Sequence, residues 1–91
     1  MAITIRIPTP LRKLTNDRKT VDVTASTVNE AIQDLCQSYP GLTERICDEK
    51  GEVRRFINVY VNDEDIRFRN GIKTSLSDGD IVSLIPAIAG G

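Results

Sequence analysis

Apolar and polar residues alternate strictly along Ala2-Ile3-Thr4-Ile5-Arg6-Ile7. Ile3, Ile5 and Ile7 therefore share one face of a half-buried strand. Pro8-Thr9-Pro10 ends it, and Leu11–Arg18 reads as a polar connection with a turn pair at Asn16-Asp17. Alternation resumes over Thr20–Thr24, which predicts a hairpin with the first strand. The period then changes. Val28, Ala31, Ile32, Leu35 and Cys36, with Tyr39 beyond, follow helical spacing, while Glu30, Gln33, Asp34 and Gln37 lie toward the other face. Thr27 with Glu30 three residues on is a capping-box start, and Pro40-Gly41 is the stop. Leu42 to Ile46 adds one more helical turn, and 48–51 a loop.

Arg55–Val61 alternates again, with Ile57, Val59 and Val61 on one face and Phe56, Asn58 and Tyr60 on the other. Asn62–Asp65 reads as a turn, Ile66-Arg67-Phe68 as a short return strand, and Asn70-Gly71 as another turn. Leu76–Asp80 is a tight acidic turn feeding a last strand, Ile81–Ile85. Hairpin, helix, strand, short strand, strand is an α+β order. With the first and last strands central and parallel, it is the β-grasp, or ubiquitin-like, fold: a mixed sheet of about five strands with one main helix packed across it. The predicted core is Ile3, Ile5, Ile7, Val21, Val23, Val28, Ile32, Leu35, Ile57, Val59, Val61, Val82 and Leu84. Residues 1–86 make the domain, and 87–91 a flexible tail.

Composition narrows the function classes. Ninety-one residues make one domain with one modest core. A net charge of −1 provides no basic excess for nucleic acid. The longest uncharged, mostly apolar stretch, Ile81–Gly91, is far short of the ~20 residues of a spanning helix. The N-terminus lacks a charged region followed by an apolar one, so the expectation is a cytoplasmic protein without membrane contact. Histidine is absent, which removes triads, imidazole catalysis and His-ligated zinc. The two cysteines, Cys36 and Cys47, read as buried structural thiols kept reduced in that compartment, although their number allows a disulfide. Asp63, Glu64, Asp65, Asp78 and Asp80 suit turns better than a metal site. Arg54, Arg55, Arg67, Arg69 and Lys73 either steer an acidic partner or form an ordinary solvated surface, and the second is expected. No catalytic residue is predicted.

The candidate chemistry lies at the last residues, Ala89-Gly90-Gly91. Two glycines have no side chains and maximal backbone freedom, so they pass through a narrow channel. Residues 86–91, fully extended, reach ~20 Å. Gly91 then presents a candidate reactive carboxylate, with Ile88, Ala89 and Gly90 as the threading tail and Ile88 its one bulky anchor; the alternative is an ordinary frayed terminus. A carboxylate is a poor electrophile until it is activated, most simply as an acyl-adenylate. The chain has no Gly-rich loop ending in Lys-Ser/Thr, so activation falls to another protein. If Val82 and Leu84 face the helix, Ile85 shares the open face with Phe56 and Tyr60, beside the root of the tail. This trio is a candidate docking patch, the alternative being single exposed apolar residues of no special role.

Leu76-Ser77-Asp78-Gly79-Asp80-Ile81-Val82, then Pro86, then Gly90-Gly91 resembles the C-terminal pattern of the MoaD/ThiS-type sulfur carriers. The stretch Arg55–Phe68, the ending Pro86–Gly91 and Ile7-Pro8-Thr9 with Leu11-Arg12 are similar to the CysO type in particular. The resemblance implies a carrier rather than an enzyme, with no bound cofactor. An E1-like adenylyltransferase would use ATP on Gly91, and a sulfurtransferase activity would install a thiocarboxylate. A PLP-dependent cysteine synthase would take the sulfur onto an aminoacrylate. A zinc metallopeptidase would then release cysteine and restore the carrier. Other readings remain open: a molybdopterin synthase small subunit, a thiazole-pathway carrier, a modifier forming isopeptides with lysines, or a binding module with an inert tail.

Overall fold

The computed structural model describes residues 1–50, 52–54 and 56–86; the expectations for Arg55 and for 87–91 fall outside them. Five strands form one mixed sheet: β1 (Ala2–Arg6), β2 (Thr20–Thr24), β3 (Ile57–Val61), β4 (Glu64–Asp65) and β5 (Ile81–Pro86). Their order is β2-β1-β5-β3-β4. β1 and β5 are parallel, with Ile5 opposite Val82, and every other pairing is antiparallel. The helix α1 (Val28–Ser38) covers one face, followed by the single turn α2 (Thr43–Ile46). This is the β-grasp arrangement the strand and helix periods predict.

The periods position the core directly. Every residue of the predicted core is buried, and Leu11, Ala25, Ala31, Leu42, Ile46, Cys47, Ile66 and Leu76 join it. Helix α1 starts where a side chain satisfies an orphan N–H: the Glu30 amide donates to Thr27 Oγ1 at 3.2 Å. The Glu30 carboxylate reaches back to the Ser26 N–H at 2.8 Å, one residue before the cap.

Four local expectations change. The segment after β1 is not a plain polar loop: Thr9–Thr15 is a 3-10 turn that buries Leu11 and Thr15. Pro10 suits its start because the missing N–H has no partner there in any case. The buried Thr15 hydroxyl lies within reach of the Arg12 and Arg18 carbonyls, at 3.1 and 3.2 Å. The return strand lies earlier than expected. Asn62 and Asp63 both take positive φ, 50° and 72°, and make a two-residue hairpin turn. Pairing therefore restarts at Glu64, and Ile66–Phe68 becomes a 3-10 turn capped by the Asp65 carboxylate on the Arg67 N–H at 2.8 Å. Strand β3 begins at Ile57 rather than Arg55. The Ile57 N–H donates to Arg54 in a turn, at 3.0 Å, which holds Phe56 ahead of the ladder. Finally, β5 runs one residue further, to Pro86, paired with Ile57. A proline fits at a strand end, where its missing donor breaks no ladder.

Candidate functional site

The root of the tail is the C-terminal end of β5. Its neighbours there differ on the two sides. β3 pairs with it as far as Pro86, whereas β1 pairs only through Arg6, opposite Ser83. Pro8 then turns the chain into the 3-10 segment, so β1 diverges from β5. A groove of about 740 Å³ lies here, lined by Arg6, Arg12 and Lys19, by Tyr60, Ser83 and Ile85, and by the acid Asp63. Residues from Arg6 to Pro86 thus surround the point from which the last five residues continue.

The period of β5 selects which side chains face this groove. Val82 and Leu84 are buried against the helix layer; Ile85 is 46% exposed on the opposite face. Ser83 stands opposite Tyr60, and Ile85 opposite Asn58. Tyr60 and Ile85 therefore line the same groove. Phe56 is 49% exposed but does not line it, and lies in the turn just before Ile57. Ile88, Ala89, Gly90 and Gly91 lie outside the described residues.

The basic side of the groove was not singled out by the sequence. Arg6 was legible as an open-face position between Ile5 and Ile7. Arg12 was not, because its segment reads as a loop and only the 3-10 turn aims it back. Its guanidinium Nε donates to the Ile7 carbonyl at 3.0 Å. Among the described residues, no salt bridge joins Arg6, Arg12 or Lys19 to an acid. Three of the basic residues that were singled out, Arg54, Arg67 and Arg69, are engaged locally. Arg67 pairs with the buried Asp65 at 2.7 Å, and Arg69 with Glu64 at 3.4 Å. Arg54 Nε donates to the Glu44 carbonyl at 2.7 Å. Hydrogen bonds from the Arg67 side chain and backbone hold the Asp65 carboxyl below the usual range.

The acidic turn before β5 registers the strand. Asp78 Oδ1 accepts from the Ala2 N–H at 2.8 Å, and the Gly79 N–H donates to the Ala2 carbonyl at 2.8 Å. Asp80 accepts from the Ser77 N–H at 2.8 Å and from the Asn62 side chain at 2.9 Å. Asn62 in turn accepts from the Ile81 N–H at 3.0 Å. These bonds, the Ser77 amide first and Asn62 second, lower the Asp80 pKa. The carboxylates thus bind the N-terminus of β1 and the β3–β4 turn to the start of β5.

The match to known proteins runs through this whole arrangement. The ThiS family model matches residues 5–91. The chain belongs to the ThiS family. The sulfur carrier protein CysO of Mycobacterium tuberculosis is 45% identical over 93 residues, covering 100% of both chains. A putative sulfur carrier protein of Archaeoglobus fulgidus is 35% identical over 91 residues, again 100% of both. A chain of the Amycolatopsis orientalis BexX/CysO complex superposes with a TM-score of 0.90 at 44% identity, covering 99% of this chain and 100% of that one. This ThiS-family protein is a sulfur carrier of the CysO type: a carrier rather than a catalyst, with no cofactor of its own. Among the described residues, no helix is long and apolar enough to cross a membrane.

Proposed function

We propose that the carboxylate of Gly91 is the sulfur-bearing group and that the sulfur goes to cysteine. The full-length likeness to CysO, continuing through Gly90-Gly91, carries this reading. An E1-like partner joins the carboxylate to AMP and releases pyrophosphate from ATP. A sulfur nucleophile then displaces AMP and leaves a thiocarboxylate at Gly91. In the bound complex Ile88 anchors the tail, and Ala89 and Gly90 occupy a channel too narrow for side chains. Tyr60 and Ile85, with Phe56 at the threshold of β3, form the docking face, and the groove between them and Arg6 receives the partner's contact.

The thiocarboxylate sulfur then adds to an aminoacrylate held by a PLP-dependent cysteine synthase. The acyl group moves from sulfur to the adjacent amine, and a zinc metallopeptidase hydrolyses the resulting amide. This regenerates the Gly91 carboxylate for another round. The fold suits the task because the sheet keeps the root of the tail fixed while no side chain of the domain is required for the chemistry.

The test is to mix the thiocarboxylate form with a cysteine synthase of this kind and an activated serine. The expected product is the carrier enlarged by one cysteine residue on Gly91. Sulfur transfer to a molybdopterin precursor or a thiazole, with no cysteinyl product, contradicts the assignment.

A further inference from the structure

The two edges of β5 end differently. The Thr4 N–H donates to the Asp80 carbonyl at 3.1 Å, so the backbone groups of Asp80 face β1. By the period of two, those of Val82 and Leu84 face the same way. The register advances residue for residue, from Thr4 opposite Ile81 to Arg6 opposite Ser83. The donor due at the Leu84 carbonyl is therefore residue 8, a proline without an N–H. β1 stops at Arg6, and the chain turns into the 3-10 segment Thr9–Thr15. On the other edge, β3 stays paired as far as Pro86. The Leu84 carbonyl is thus left without its β1 donor, on a short open stretch of strand edge. Ile7, Pro8, Leu84 and Pro86 line the groove at this stretch.

The charge around the open edge is one-sided. Arg6, Arg12 and Lys19 line the groove against a single acid, Asp63, in a chain whose net charge is −1. Among the described residues, none of the three cations is held in a salt bridge. The bond from Arg12 Nε to the Ile7 carbonyl, 3.0 Å, fixes that guanidinium beside the edge. Arg6 and Lys19 are exposed. A second copy of the chain would set the same cations against each other, which disfavours a self-complementary dimer here. Three cations in a chain of negative net charge are also too few to hold a nucleic-acid backbone well. An open carbonyl calls for a backbone N–H, and unpaired cations call for carboxylates. An extended acidic peptide supplies both.

We propose that this groove takes an extended acidic segment of the protein that activates Gly91, added along the open edge of β5. A backbone N–H of the segment donates to the Leu84 carbonyl. Its carboxylates meet Arg6, Arg12 and Lys19, and its apolar side chains rest on Tyr60 and Ile85. Pro86 lines the groove, so a partner held there sits at the point from which residues 87–91 continue. The charges are largely exposed, so their attraction speeds the encounter and weakens with salt. The inference rests on the carrier reading for the identity of the partner, and on the groove alone for the chemistry of the segment.

The direct probe is a short fluorescein-labelled peptide of alternating Glu and Val, titrated with the full chain and followed by anisotropy. Saturable binding is expected at low salt, weaker at high salt, and absent for the Lys-Val counterpart. Amide shifts in NMR should move at Arg6, Lys19, Leu84 and Ile85. Charge reversal by Arg6→Glu with Lys19→Glu should weaken binding about tenfold, and the milder Arg6→Gln with Lys19→Gln less, both with cooperative melting retained. A Glu-Val peptide with N-methylated amides should bind weakly, because it cannot donate to the strand edge. The same variants are then given to an E1-like enzyme with ATP, where activation of Gly91 should slow about tenfold at low salt and less at high salt. Equal binding of the Lys-Val or N-methylated peptide, shifts confined to other residues, or tighter binding of a single-stranded oligothymidylate would each overturn the proposal. So would a parent rate of activation in the folded charge-reversed variant, an outcome that leaves the carrier reading intact. Failure of the unsubstituted chain to be activated strikes the carrier reading instead, and the peptide titration still decides what the groove takes.

Discussion

Single residues show where side-chain chemistry, rather than burial, holds the carrier together. Asp80 closes its own turn through Ser77 and ties it to the β3–β4 turn through Asn62, and its pKa is lowered in the fold. A carboxyl with a lowered folded pKa adds stability that is present above its unfolded value of 3.8 and is lost as the pH falls through the folded one. Asp80→Asn should therefore lose about 1 kcal/mol at pH 7 and show less further loss in acid than the parent. Urea unfolding at pH 7 and at pH 3 measures both. Gly79 adopts φ +89° with nothing within 4 Å of an added Cβ. Gly79→Ala meets backbone strain without a clash, and its expected cost is about 1–2 kcal/mol by thermal unfolding. The Asp78-Gly79-Asp80 turn was legible in the sequence, but its partners Ala2 and Asn62 were not. Both lie far away in the chain; the parallel β1–β5 pairing brings in Ala2, and the antiparallel β3–β5 pairing brings in Asn62.

At the level of elements, the periods of two and of about four were sufficient where one face is fully buried. They place Ile3, Ile5 and Ile7, the α1 stripe and the inner faces of β3 and β5 correctly. They fail where a tight turn or a side-chain cap decides. Ile66-Arg67-Phe68 has strand-forming residues, yet the left-handed pair Asn62-Asp63 and the Asp65 cap make it a 3-10 turn. Thr9–Thr15 reads as loop because its buried positions, Leu11 and Thr15, are helically spaced but only one of them is apolar. Helix α1 gives the clearest energetic test. Leu35 is 0% exposed, so Leu35→Ala should destabilise by about 2–5 kcal/mol. Thr27→Ala removes only the cap bond and should lose about 1 kcal/mol. Calorimetry of the two variants should rank them in that order.

At the scale of the whole molecule, the fold places a groove at the C-terminal end of β5, and the proposed chemistry belongs to the residues that follow it in the sequence. The open-face positions of Tyr60 and Ile85 were legible from alternation. The basic wall of Arg6, Arg12 and Lys19 was not, since it depends on β1 turning away at Pro8. Ile85 is exposed, so Ile85→Asp should leave the melting temperature nearly unchanged. If this face docks the activating partner, the same change should slow Gly91 activation roughly tenfold, as loss of one interface anchor does. A normal rate in a well-folded Ile85→Asp variant would remove the docking face from the account. The central claim, that Gly91 bears the sulfur, is tested most directly by intact and fragment mass spectrometry after incubation with an E1-like enzyme, ATP and a sulfur donor. The account predicts replacement of one oxygen by sulfur, located at Gly91 and absent when Gly91 is deleted. An unmodified Gly91, sulfur found on another residue, or lysine-linked conjugates in its place would contradict it.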